Sequence, residues 1–316
     1  MKREIGHTLT LAVVLGAVVA VTACDRGSTT EPALPQTGIP ASMERSPAEY
    51  AYTVIDVPNA TWTQVYRMNA RGDVVGSYSQ SGLTHGFLLR RGTFQTLDVA
   101  GATHTQGRGI NERGDIVGFS NTSGTLRGFL LSNGEFTTIE YPDAVGTRLW
   151  DINARGDIAG EYQATAGAQW RGFVLSQGEF TPLSVPSANM SAGFGINEDG
   201  AVVGHYTEPG TKMFGFLFSD GAYTQFDHPA SGTKMTCAQG IGVHGEVVGH
   251  FGDAASSAVY GYLWTDGELV AQLQVPDAKQ TYPLSITPGG VIAGYHVDAS
   301  DGNHGFIATP LNPAGR

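Results

Sequence analysis

Cysteine is nearly absent from this chain, with two in 316 residues, Cys24 and Cys237. Cys237 falls inside an apolar run, so no disulfide framework supports the fold, and no C-x-x-C is present for redox or zinc chemistry. Basic residues are also few, 18 Lys and Arg against 29 Asp and Glu for a net charge of −11, and none of them form a run. Nucleic acid, which recruits clustered Lys and Arg, is excluded as a partner. No apolar stretch reaches the length of a membrane span; the longest runs over residues 9–20. Linear catalytic signatures are missing as well: there is no G-x-S-x-G elbow, no H-E-x-x-H pair and no P-loop. No cofactor is implied, and no enzyme class is announced.

Glycine is what the chain has instead, 44 residues set at fixed places in a block of about 43 residues that recurs six times. The cleanest copies read INERGDIVGFS at 110–120 and INARGDIAGEY at 152–162. Each copy holds four short apolar runs separated by Gly, Asn and Asp, which predicts four strands. Apolar residues come in adjacent pairs, such as Val74-Val75, Ile116-Val117, Val202-Val203 and Val247-Val248. Neighbours along a strand face opposite ways, so both faces of each sheet are expected to be buried between like sheets.

The fractions at the two ends complement each other. YTVIDVP at 52–58 matches FTTIEYP at 136–142, the outer run of the second copy, while the last copy, 286–308, stops where that run should follow. These fractions predict an all-β, six-bladed β-propeller of four-stranded repeats over residues 50–310, closed by the N-terminal strand. An open β-solenoid with a stray first strand is the alternative.

Lys2 and Arg3, the apolar run 9–20 and the small residues after it make residues 1–23 an export signal. The order Val21-Thr22-Ala23-Cys24 resembles the lipobox of bacterial lipoproteins. That resemblance implies lipidation of Cys24 and a protein facing the periplasm or cell exterior, with its membrane contact through the N-terminal lipid only. A plain secretory signal cut near Ala23 is the alternative. Residues 24–49, rich in Ser, Thr, Pro and Gly, read as a flexible linker, and 311–316 as a tail.

The repeat itself resembles the HAF family of extracellular repeats, named for a His-Ala-Phe tripeptide with Ile-Asn and Val-Val-Gly downstream. His85-Gly86-Phe87 and His304-Gly305-Phe306 stand nearest to the tripeptide, and Ile-Asn begins at Ile110, Ile152 and Ile196. Every copy has Gly for the family Ala, and the Leu-Gly-Thr-Leu-Gly-Gly stretch is absent. The resemblance implies architecture and carries no function with it.

In a four-stranded blade the tight A-R-G and E-R-G turns fall on one end, and the variable segments 163–170, 207–213 and 252–259 on the other, where function is expected. The strand ending in Ile-Asn would be innermost, so its start lines an axial mouth with Trp62, Gln64, His104, Gln106, Arg148, Gln280 and Tyr282. Such a mixture suits a sugar, a peptide or a small polar ligand, or else it plugs the channel. The position after Val-Val-Gly offers Glu161, His205 and His250 in three successive copies, a zinc ligand set if they converge and otherwise ordinary loop-bonded side chains. The position before Gly-Phe holds His85, Arg127, Arg171, Phe214, Tyr260 and His304, for which packing between blades is the expected role. A hydroxyl recurs at Thr63, Thr105, Thr147, Ser191, Thr236 and Thr281 and is expected to bond backbone at the strand entrance. Three Arg-Gly-Asp tripeptides, from Arg71, Arg113 and Arg155, follow from the turn, and 298–303 is read as a turn rather than a calcium loop.

The functional expectation is a monomeric, exported and membrane-tethered propeller acting as a binding module for an envelope protein, a glycan or a small polar molecule. The alternatives are a propeller hydrolase or lyase with a site gathered from several blades, and a structural protein of envelope assembly.

Overall fold

The computed structural model describes residues 49–229, 233–253 and 257–311. The export signal, Cys24 and nearly all of the linker lie outside the described residues. Among the described residues every helix or strand element is a strand, and no helix is long and apolar enough to cross a membrane.

After β1 (Tyr50–Ile55) the strands fall into four-stranded antiparallel units. The first unit is β2 (Trp62–Met68), β3 (Val74–Gln80), β4 (Leu83–Arg90) and β5 (Thr93–Leu97). The second is β6 (His104–Ile110), β7 (Ile116–Thr122), β8 (Thr125–Ser132) and β9 (Glu135–Ile139). The third is β10 (Gly146–Ile152), β11 (Ile158–Gln163), β12 (Arg171–Ser176) and β13 (Glu179–Pro182). The fourth is β14 (Met190–Ile196), β15 (Val202–Thr207), β16 (Met213–Ser219) and β17 (Ala222–Phe226). The fifth is β18 (Thr233–Ile241), β19 (Val247–Asp253), β20 (Val259–Thr265) and β21 (Glu268–Leu273). The last contains β22 (Gln280–Ile286), β23 (Ile292–Val297) and β24 (Asn303–Pro310), and its fourth place is taken by β1, which pairs antiparallel with β24 from Tyr50 opposite Pro310 to Ile55 opposite Gly305.

Adjacent apolar residues do serve two cores. Val75 packs with Ile110, Ile116 and Phe129 of the second unit, whereas Val74 packs with Val65, Phe87 and Ala293 of the last. Val202 and Val203 divide in the same way between the third and fifth units, as do Val247 and Val248 between the fourth and sixth. Burial of about 1.5–3 kcal/mol per large side chain on both faces of every sheet is the main force holding unit to unit.

Glycine answers two different needs. In the tight turns Gly72, Gly114, Gly156 and Gly200 hold φ between 81° and 94°, which L-residues rarely adopt. In the Val-Val-Gly strand the need is space: a Cβ on Gly118 would fall on the carbonyl oxygen of Gln106 and against the Phe129 ring.

Asparagine of the Ile-Asn pair staples units together. Asn111 Oδ1 accepts the amides of Arg113 and Asp115 in its own turn, while its Nδ2 donates to the Asn153 carbonyl of the next unit. Asn69, Asn153 and Asn197 also donate to the following unit, at Asn111, Asn197 and Gly242. The Asp residues of the Arg-Gly-Asp tripeptides are consumed internally: Asp115 accepts from Ser132 Oγ at 2.6 Å and Asp157 from Ser176 Oγ at 2.5 Å. Asp298 Oδ1 accepts the amides of Ser300 and Gly302, as a turn requires.

The recurring hydroxyl bonds backbone in all six copies. Thr63, Thr105, Thr147, Thr236 and Thr281 accept the amides of Val57, Val99, Tyr141, His228 and Val275, and Ser191 departs by accepting from Gly172. Thr147 is 1% exposed, so Thr147→Val, which leaves the Tyr141 amide without its acceptor, is expected to cost about 1–3 kcal/mol in urea unfolding.

Candidate functional site

The first strands of successive units touch one another, β2 with β6, β6 with β10, β10 with β14, β14 with β18, β18 with β22, and β22 with β2. Each carries a bulge at the same place, between Val65 and Arg67, Gly107 and Gly109, Leu149 and Asp151, Gly193 and Gly195, Ala238 and Gly240, and Pro283 and Ser285. A bulge re-aims side chains out of the regular pleat. Here the extra residue is Tyr66, Arg108, Trp150, Phe194, Gln239 or Leu284.

Arg67, just after its bulge, spans the centre. Its Nε lies 3.2 Å from Asp151 of the third unit, and its terminal nitrogens donate to the carbonyls of Phe194, Gln239 and Leu284 in the fourth, fifth and sixth. Asp151 also accepts the Ile196 amide. Both side chains are buried, so this clasp closes the centre with a hydrogen-bonded ion pair.

Toward the loop end stands a collar of side chains. The Arg108 guanidinium lies 3.8 Å from the Tyr66 ring centre and 4.4 Å from that of Trp150. Trp150 meets Phe194 edge-on at 4.9 Å, Phe194 meets His205 at 4.8 Å, His250 meets Tyr282 at 4.8 Å, and Tyr282 stacks on Tyr295 at 4.6 Å. Arg148 pairs with Glu161 at 3.0 Å and lies 4.1 Å from the ring centre of Trp170, at the end of the variable loop of the third unit.

The expected mouth residues therefore divide. Gln64, Gln106, Arg148 and Tyr282 sit one register step above the bulge, beside the collar, whereas Trp62, His104 and Gln280 lie farther out at the strand starts. Several are already bonded: Gln64 to Asn303 at 2.9 Å, Gln280 to the Ser257 carbonyl at 2.9 Å, and His104 stacked on Phe119 at 5.9 Å. Glu161, His205 and His250 face the same level, opposite Arg148, Ala192 and Cys237 across the sheet. Among the described residues no group of three His, Cys, Asp or Glu is placed to hold a metal. Glu161 is paired with Arg148.

The position before Gly-Phe ties the third strand to the residue after the fourth: His85 to Asp98 at 2.9 Å, His304 to Asp56 at 3.0 Å, and Arg127 to Glu140 at 3.5 Å. The residues that the sequence reading missed are Tyr66, Arg67, Arg108 and Trp150. Only Arg67 left a signal, a large side chain in a column that otherwise holds Gly, Asp or Ser; Tyr66, Arg108 and Trp150 share one column whose other members, Phe194, Gln239 and Leu284, are also large.

Burial shifts the acid–base groups of the collar. It raises the Glu161 carboxyl against the pull of Arg148. It lowers His205 to about 4, and lowers His250 to about 3 with some help from His205. Neither histidine Nδ1 has a hydrogen-bond partner. A histidine with a depressed folded value contributes stability that is present above its unfolded value and lost as pH falls through the folded one. The domain is thus expected to lose stability between about pH 6.5 and pH 4, and His250→Phe to flatten that slope in urea midpoints measured across the range.

A cavity of about 420 Å³ opens at the turn end, lined by all six units and floored by Arg67 and Asp151. There the asparagines fold back onto their own turns and leave space.

No family model matches the chain, and no curated protein matches it. Solved structures do match in fold. A gluconolactonase from Xanthomonas campestris aligns at a TM-score of 0.52 and 12% identity over 84% of this chain and 90% of its own. A second protein, whose gluconolactonase assignment is itself provisional, aligns at 0.50 and 14% over 84% and 93%. TolB from Acinetobacter baumannii aligns at 0.52 and 10% over 79% of this chain and 64% of that one. The chain has an all-β, propeller-like fold.

Proposed function

We propose that this chain is a six-bladed propeller sealed by β1, exported and held to a membrane through Cys24, whose collar is the site of a hydrolase or lyase acting on a small polar molecule. Sealing is supported by the β1–β24 pairing and by the core that Val65 and Val74 share with Ala293. The HAF-like repeat and the lipobox-like leader support an extracytoplasmic setting. The enzyme reading is preferred to a passive binding module because the fold is shared with a gluconolactonase. The observation that carries it is the collar, which brings together a carboxyl raised by burial, two neutral imidazoles and the Arg108 guanidinium, whose charge acts on that carboxyl. Groups of that kind supply general acid, general base and charge stabilisation.

The test is turnover by the full chain of a panel of small polar esters, lactones and eliminable acids, repeated with Glu161→Gln. Turnover reduced about 100-fold or more in the variant supports the reading. Saturable binding with no turnover of any substrate returns the chain to the binding module.

A further inference from the structure

Three guanidiniums, Arg67, Arg108 and Arg148, share the centre of a chain whose net charge is −11. Two carboxylates answer them: Asp151 takes Arg67 and Glu161 takes Arg148. Arg108 makes no ion pair within 4.0 Å and no hydrogen bond among the described residues, and its Nε is shut off from water, although its charge is felt by the Glu161 carboxyl. An unpaired cation in such a place is costly, and sites that keep one commonly use it on an anion.

The geometry limits which anion fits. Tyr66 and Trp150 lie 3.8 and 4.4 Å from the guanidinium carbon, so ring contacts occupy the guanidinium and its in-plane N–H fork is what remains to bind. That fork matches the two oxygens of a carboxylate. The positive charge extends toward the loop end: His104, at the start of β6, is lowered first by burial and then by Arg108 and Arg148. Two residues before Arg108 on the same strand, the buried Gln106 has an Oε1 with no donor. That acceptor asks for a hydroxyl or amide hydrogen.

We propose that Arg108 is the anchoring residue of an oxyanion subsite in this collar, and that its ligand is a small hydroxycarboxylate whose carboxylate docks on the guanidinium edge while a hydroxyl donates to Gln106. The proposal rests on the collar being the site, and it adds the charge and class of what enters. Phosphate shares the anion chemistry but brings no carbon-bound hydroxyl, and the test separates the two.

The experiment measures the thermal midpoint and calorimetric binding of the full chain with glycolate, tartrate, gluconate, inorganic phosphate and glycerol. Arg108→Met, which keeps an unbranched apolar stem between the rings, and Gln106→Leu are measured in parallel. Saturable binding of hydroxycarboxylates, weakened at least tenfold by Arg108→Met and less by Gln106→Leu, with glycerol inert, is the expected result. Without ligand, Arg108→Met should melt no lower than the wild type, because it removes a half-buried charge that has no ion pair. Equal binding by wild type and Arg108→Met, preference for phosphate over every hydroxycarboxylate, or a lower midpoint in unliganded Arg108→Met overturns the proposal. Binding or turnover of neutral molecules alone, abolished by Glu161→Gln, also overturns it but leaves the collar reading standing; no binding and no turnover of any kind removes both.

Discussion

Arg67→Met is expected to cost about 3–5 kcal/mol in urea unfolding near neutral pH, the range for breaking a buried ion pair from one side. The loss has two parts. Asp151 is left as a buried carboxylate with only backbone amides to satisfy it, and the carbonyls of Phe194, Gln239 and Leu284 lose a donor that reached them from another unit. Burial already raises the Asp151 carboxyl, with Arg67 pulling it back, so removing Arg67 raises it further. An acid raised in the folded state binds its proton more tightly there, so its stabilising contribution is present below the unfolded value and lost as pH rises through the folded one. The deficit of Arg67→Met should therefore shrink as pH falls. A double variant, Arg67→Met with Asp151→Leu, should recover most of the loss, since a buried pair replaced whole by apolar residues is often neutral. A cost below about 1 kcal/mol, within the scatter of ordinary surface substitutions, would mean that the clasp does not hold the centre together.

The clasp also shows what a repeat hides. Features present in every copy were legible: the four strands, the paired apolar residues, the positive-φ glycines and the strand-entrance hydroxyl all follow from a periodic pattern and local chemistry. Arg67 and Arg108 occur once each, in columns that elsewhere hold Gly, Asp or Ser, or Tyr, Trp, Phe, Gln and Leu. Periodicity averages such residues away, yet function in a repeat protein sits where the repeat is broken. The zinc expectation drew on likeness between copies alone. Equivalent positions in three neighbouring units lie at one level, but Glu161 has a nearer cation in Arg148, directly across the sheet. Register within a unit outranked likeness between units. The bulge was also illegible, because it depends on pairing with the second strand rather than on any residue type; without it, the collar residues could not be placed on the centre.

Two glycines in the second unit should respond in opposite senses to the same change. Gly118→Ala places a Cβ against the carbonyl oxygen of Gln106, and against a Phe129 ring that is itself fully packed. The obstacle is backbone in a strand held on both sides, by β6 and by β8, so it does not rotate away. The expected cost is about 1–3 kcal/mol or more, as for overpacked cores. Gly107→Ala, on the facing strand and paired with Gly118, meets only ordinary contacts of 3.6 Å with Ile116 and Leu97 and 3.7 Å with the Gly76 carbonyl. There the methyl adds no strain, and the unfolded chain loses freedom, so a change between neutral and about 1 kcal/mol stabilising is expected. Urea midpoints of the two single variants decide the matter. If both are destabilised alike, strand glycine serves flexibility rather than close approach, and the tight seam between first and second strands is not what fixes glycine in the Val-Val-Gly column.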